Sequence, residues 1–179
     1  MSLQNITLIS FGHFEKNFLD RLVKNVSSEF QLLVRVKEGH IDLSDYYDPA
    51  RRQYNGNELL KEVDAKYSID SFKTIGLFNV DLFVPILTYI FGQAFLNGRT
   101  GILSLYRLSN ERYGMSIDEE ILLDRTIKEV IHELGHTFGL IHCHTPTCVM
   151  RSSTYVEDLD QKNSNLCVKC RGELANIKV

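Results

Sequence analysis

The stretch that most constrains this chain runs from Ser116 to His142. Ile117, Ile121, Leu122, Ile127, Val130, Ile131, Leu134 and Phe138 recur at helical spacing. Ser116, with Glu119 three residues on, reads as an N-cap and capping box. One long helix is therefore predicted from about Ile117 to Gly139. Near its end stand His132, Glu133 and His136. Residues i and i+4 share a helix face, so the two imidazoles can hold one ion between them. Glu133, one residue on, is rotated about 100° and falls beside such an ion rather than on it. The next helical turn cannot supply a third ligand. Gly139 can, by taking a positive φ that reverses the chain and returns His142 to the other two histidines.

Three neutral imidazoles suit Zn²⁺ and leave one tetrahedral position for water. Water held there has its pKa lowered toward ~7. Glu133 would take a proton from that water as it attacks a carbonyl and pass it to the leaving amine. Single histidines are common in helices, and two at i, i+4 with a glutamate arise by accident. The extended set of three histidines, a glutamate and a glycine has a chance frequency of roughly one in a hundred thousand for a chain of this size.

All four cysteines, Cys143, Cys148, Cys167 and Cys170, fall in the last 37 residues. The N-terminus has no secretory-signal pattern, so a metal site is a better reading than two disulfides. Pairs with four- and two-residue spacers suit a closed tetrahedral thiolate site. Its binding energy would order a segment with little regular structure of its own. The net charge of −3 argues against a nucleic-acid partner. No apolar run reaches the ~18 residues of a membrane span. A cytoplasmic monomer is the expectation.

The first hundred residues alternate between strand and helix patterns. Strands are predicted at Asn5–Ser10, Phe30–Val36 and Lys73–Phe83, and helices at Phe14–Val26 and Asn57–Tyr67. Ser44–Gly56 reads as a loop. Phe91–Leu96 and Gly101–Leu108 flank an Asn97-Gly98 turn and should form an antiparallel hairpin. After Gly139 no regular element is expected before about the last ten residues. The whole points to one α/β domain over residues 1–179, with a mixed, mostly parallel sheet. Tyr46, Tyr47 and Tyr54 are candidates for the cleft or for packing. His13, His40 and His144 are read as non-ligands.

The pattern from His132 to His142, with Met150 following, is that of the metzincin metallopeptidases. Cys143 directly after the third histidine, Cys148, Met150 and the Cys167–Cys170 pair together resemble the archaemetzincins. The motif covers Val130 to Cys170; Asp48–Tyr54 and the strand from Lys73 resemble the family more weakly. The resemblance implies a zinc-dependent peptidase acting on peptide substrates. His132, His136 and His142 would bind catalytic zinc, with Glu133 as general base. Cys143, Cys148, Cys167 and Cys170 would bind a structural zinc, making two zinc ions per chain. Met150 would pack beneath the metal as the Met-turn, and Phe91–Leu96 would be the edge strand that pairs with substrate. Ser152 stands where some metzincins have a tyrosine that contacts zinc. Two rival readings are a metzincin-fold zinc-binding protein with little or no proteolytic activity, and an aminopeptidase restricted to short peptides. The latter would need an acidic anchor for a free amine.

Overall fold

Burial on both faces makes the first strand an interior one. In the computed structural model, which describes residues 4–177, β1 (Asn5–Phe11) alternates its apolar side chains between two cores. Ile6 and Leu8 enter one, Ile9 and Phe11 the other. The chain then forms α1 (Lys16–Phe30), which ends at Gln31 in the left-handed region, and β2 (Leu33–Gly39), parallel to β1. The expected strand from Phe30 begins later. Phe30 is fully buried as the last residue of α1, because it continues the stripe of Leu22 and Val26.

The segment read as a loop carries two short strands, β3 (Tyr47–Asp48) and β4 (Gln53–Asn55). Asn55 caps α2 (Gly56–Tyr67) by accepting from the Glu58 amide. The predicted Lys73–Phe83 strand is broken in two. β5 (Lys73–Phe78) is central in the main sheet, whereas β6 (Leu82–Phe83) leaves it and joins β3 and β4 in a small second sheet. The hairpin forms as expected from β7 (Gly92–Ala94) and β8 (Thr100–Ser104), with Asn97 in the left-handed region at the turn. The main sheet has the order β2-β1-β5-β8-β7 and is parallel except for β7, which forms its edge.

The long helix, α3 (Glu119–Thr137), starts two residues later than its apolar pattern suggested. Asp118, not Ser116, is the N-cap, accepting from the Ile121 amide at 3.0 Å. Ile117 lies outside the helix and is exposed. α1 and α3 pack on one face of the sheet and α2 on the other, a mixed α/β architecture. Two helices follow, α4 (Val156–Gln161), which the sequence pattern did not suggest, and α5 (Val168–Ile177). Among the described residues no helix is long and apolar enough to cross a membrane.

Candidate active site

The active-site region is built around the end of α3. His132 and Glu133 are buried and His136 half-buried, while His142 lies on the exposed segment beyond the helix. Gly139, with φ of +95°, makes the reversal between them. The turn is closed by the Gly139 amide on the His136 carbonyl and the Leu140 amide on the Gly135 carbonyl, both at 2.9 Å. Each helical imidazole is oriented from behind. His132 Nδ1 donates to the Val149 carbonyl and His136 Nδ1 to the Leu140 carbonyl, both at 2.8 Å.

A carbonyl only accepts, so both protons sit on Nδ1 and both Nε2 atoms carry lone pairs. Those two Nε2 atoms face each other at 3.0 Å. Facing lone pairs repel unless a cation lies between them. The separation is close to the ~3.3 Å edge of a tetrahedron with metal–nitrogen bonds of ~2.0–2.1 Å. The His142 ring completes the set, with centroids 5.3 Å from His132 and 4.9 Å from His136. Burial pushes all three imidazoles below their ordinary pKa, furthest for His132. They are thereby kept neutral, the form that binds metal. The donor set fits Zn²⁺.

Glu133 lies against the hairpin. A Cβ on Gly92 would come within 2.8 Å of its Oε1, and one on Gly101 within 3.3 Å of its Cβ. Its Oε2 is buried with no hydrogen-bond partner. Burial, and then the nearby Glu129, lift its pKa well above the usual carboxylate value. Glu129, one turn earlier on the same helix, is also buried and is raised to about 7, mainly by desolvation.

These groups open into a cleft of about 540 Å³. One wall is residues 87–94, including β7; the other is residues 152–155. The small sheet braces the first wall: Arg51 donates to the Leu87 carbonyl at 2.6 Å and Gln53 to the Thr88 carbonyl at 2.9 Å. Tyr89 Oη donates to the Thr154 carbonyl at 2.8 Å and links the two walls. The tyrosines of the cleft are thus Tyr89 and Tyr155. Tyr46 and Tyr54 pack on the core under α2, and Tyr47 is set against Tyr54. Ser152 does line the cleft.

Met150 is fully buried against Gly135, on the turn of α3 that carries His132 and His136. Its thioether occupies the space a side chain at position 135 would need. Gly135, inside the histidine motif, carries no sequence signal of its own. Nor does Lys162, whose ammonium is buried against the Val149 and Arg151 carbonyls at 3.0 and 2.8 Å.

The four cysteines meet on the far side of this turn, their sulfurs all within 4.8 Å of one another. Cys143–Cys167 and Cys148–Cys170 are each 3.8 Å apart. That is far beyond the ~2.05 Å of a disulfide, and matches the ~3.8 Å edge of a tetrahedron with metal–sulfur bonds of ~2.3 Å. The Thr145 and Cys167 amides donate to Cys143 and Cys148 sulfurs. Cys167 is drawn down to about 6, chiefly by the Cys170 amide. The donor set fits a closed thiolate site. His144 is exposed and belongs to neither ligand group.

A helix that presents two imidazoles and a glutamate to a cleft, backed by a buried methionine, defines a metallopeptidase. The sequence profile of peptidase family M54 matches residues 1–176, and the chain belongs to this family, the archaemetzincins. The archaemetzincin of Pyrococcus horikoshii is 36% identical over 165 residues, which cover 90% of this chain and 85% of the relative. The crystal structure of archaemetzincin from Methanopyrus kandleri superposes with a TM-score of 0.86 at 32% identity, covering 99% of this chain and 96% of that one. A zinc-dependent peptidase from Methanocorpusculum labreanum superposes with a TM-score of 0.85 at 28% identity, covering 94% and 99%.

Proposed function

We propose that residues 1–179 act as one catalytic domain that hydrolyses peptide bonds, with His132, His136 and His142 holding zinc and Glu133 as its general base. The observation that carries this reading is the pair of converging Nε2 lone pairs next to a buried carboxylate with an unpartnered oxygen. Zinc bound there supplies a Lewis acid that polarises the scissile carbonyl and acidifies a water. Glu133 accepts the proton of the attacking water and delivers it to the leaving amine. Its burial supports both halves of that cycle, since a raised pKa suits a group that must take up a proton and hold it until the C–N bond breaks. β7, the sheet edge that lines the cleft, offers main-chain groups to an extended peptide. A second zinc, held by Cys143, Cys148, Cys167 and Cys170, fixes the segment that carries Met150.

An observation also favours restriction to short peptides with a free N-terminus. Glu129 lines the same cleft as a buried carboxyl that makes no ion pair among the described residues, and it would supply the acidic anchor that an aminopeptidase needs. Matched peptides with free and acetylated N-termini separate the two forms: equal cleavage of both excludes the anchor.

Glu133→Gln should cut turnover by ~10²–10⁴-fold while zinc content and melting temperature stay near the parent's. His136→Ala should lose the metal along with activity. Hydrolysis that survives Glu133→Gln, or a fully zinc-loaded parent that cleaves nothing in a diverse peptide library, overturns the proposal. The second outcome would leave a zinc-binding protein without efficient proteolysis.

A further inference from the structure

Lys162 lies outside every motif and has no part in the reaction as drawn, yet it is 3% exposed. A lysine so deep needs a reason, because its ammonium is strongly hydrated and costly to bury. Its surroundings are specific. Nζ donates to the carbonyl of Val149 at 3.0 Å and to that of Arg151 at 2.8 Å, gripping the chain on both sides of Met150. The Val149 carbonyl is the same oxygen that accepts from His132 Nδ1. One acceptor therefore serves the buried cation and the imidazole that would bind metal.

Burial pushes the ammonium below its ordinary pKa, and the carboxyls of Glu129 and Glu133, on the side of α3 that meets the cleft, work against that fall. Neither forms an ion pair with it among the described residues, and its protons go to the two carbonyls. Its placement follows from the local fold. Asp158 accepts from the Thr154 and Tyr155 amides at 2.8 and 2.9 Å and starts α4, and Lys162 is the residue at which that helix ends. A single turn and a half of helix thus directs the side chain back beneath the Met150 turn.

We propose that Lys162 is a positioning residue for the histidine metal centre: it clamps the chain on both sides of Met150 and so fixes the Val149 carbonyl that orients His132. The inference rests on the reading that His132, His136 and His142 bind zinc. Reach and donor number are separable by substitution. Arginine keeps several donors at the end of a long side chain, glutamine ends one atom short of the lysine nitrogen and cannot grip both carbonyls, and methionine has no donor.

The test compares Lys162→Met, Lys162→Gln and Lys162→Arg in the full chain. Zinc affinity at the histidine site is measured by chelator competition, with the four-cysteine metal followed separately and the cobalt absorption spectrum recorded as a geometric signature. Outer partners of metal ligands typically affect affinity by ~10–100-fold. Lys162→Met should weaken the histidine site to that extent and alter the cobalt spectrum, while the cysteine site keeps its metal. Lys162→Arg should recover most of the affinity and Lys162→Gln little. Parent-like affinity and spectrum in Lys162→Met overturn the proposal, as does a glutamine variant equal to the arginine one. If Lys162→Met does not fold, the glutamine and arginine variants still decide. A parent with no zinc at the histidine site overturns the underlying reading as well, so the two failures are distinct.

Discussion

Gly135 shows how a single hydrogen atom in place of a side chain governs the site. The residues around it in the motif carry chemistry, whereas Gly135 contributes absence: the Met150 thioether lies where its Cβ would be. Alanine there must push either the methionine or the helix, and both carry ligands or their supports. Overpacking of this kind costs about 1–3 kcal/mol. For a domain of this size, 1 kcal/mol is about 2–4 °C in Tm. Gly135→Ala should therefore melt roughly 2–12 °C below the parent and bind zinc more weakly at the histidines. An unchanged melt would show that Met150 can move aside without consequence. The histidines and Glu133 were legible in the sequence because their spacing is itself the signal. Gly135 and Lys162 were not, because their partners, Met150 and the Val149 and Arg151 carbonyls, are supplied by chain 11 to 15 residues away.

Among the elements, the decisive contact is between the end of α3 and the hairpin. Lys73, the first residue of β5, donates to the Thr137 carbonyl at 2.7 Å and to the Gly98 carbonyl at 2.6 Å. Its ammonium also sits 4.7 Å from the Phe138 ring centroid. The Asn97 amide adds a bond to the His136 carbonyl at 2.8 Å. Helix, hairpin turn and central strand are thus tied together within one turn of His136. Lys73→Met leaves two carbonyls without this donor, and an unsatisfied buried acceptor costs about 1–3 kcal/mol. Loss of stability by that amount in denaturant titration is expected, together with weaker catalysis. A variant with full stability would show that water replaces the ammonium. Periodicity could find α1, α2 and α3 because each buries a stripe. It overran at Ser116 and Ile117, where the apolar spacing continues into exposed chain and only Asp118 is placed to cap. It missed α4, whose six residues bury only Val156 and Leu159. It also joined β5 to β6, since the break between them answers to the second sheet rather than to local composition.

At the scale of the molecule, the cleft walls come from residues 87–94 and 152–155, and the chain between them contributes the helix that carries His132, Glu133 and His136. The last segment is held from a distance. Glu29 on α1 accepts from Asn165 at 2.8 Å, the Leu166 amide at 2.9 Å and Arg171 at 2.7 Å. Given two zinc ions, chelation should proceed in two stages. The histidine centre opens to the cleft and has three neutral donors, so its metal should leave first, abolishing activity with a small change in Tm. Removal of the thiolate-bound metal should then cause a large loss of stability, because structural zinc contributes folding energy directly. A ratio of one zinc per chain in elemental analysis, or a single-stage loss, would rule this out. The glycines at 92, 101 and 135 have a further consequence. Between them they leave Glu133 and Met150 no spare volume on either side of α3. The helix therefore sits as a key in a cut lock, and a methyl group added at any of the three positions must displace a neighbour: Glu133 at 92, Ile75 at 101 or Met150 at 135. Heritable change that alters the cleft therefore enters most easily at exposed wall positions such as Leu87 and Tyr155, whereas Gly92, Gly101 and Gly135 hold the helix side of the cleft to one shape.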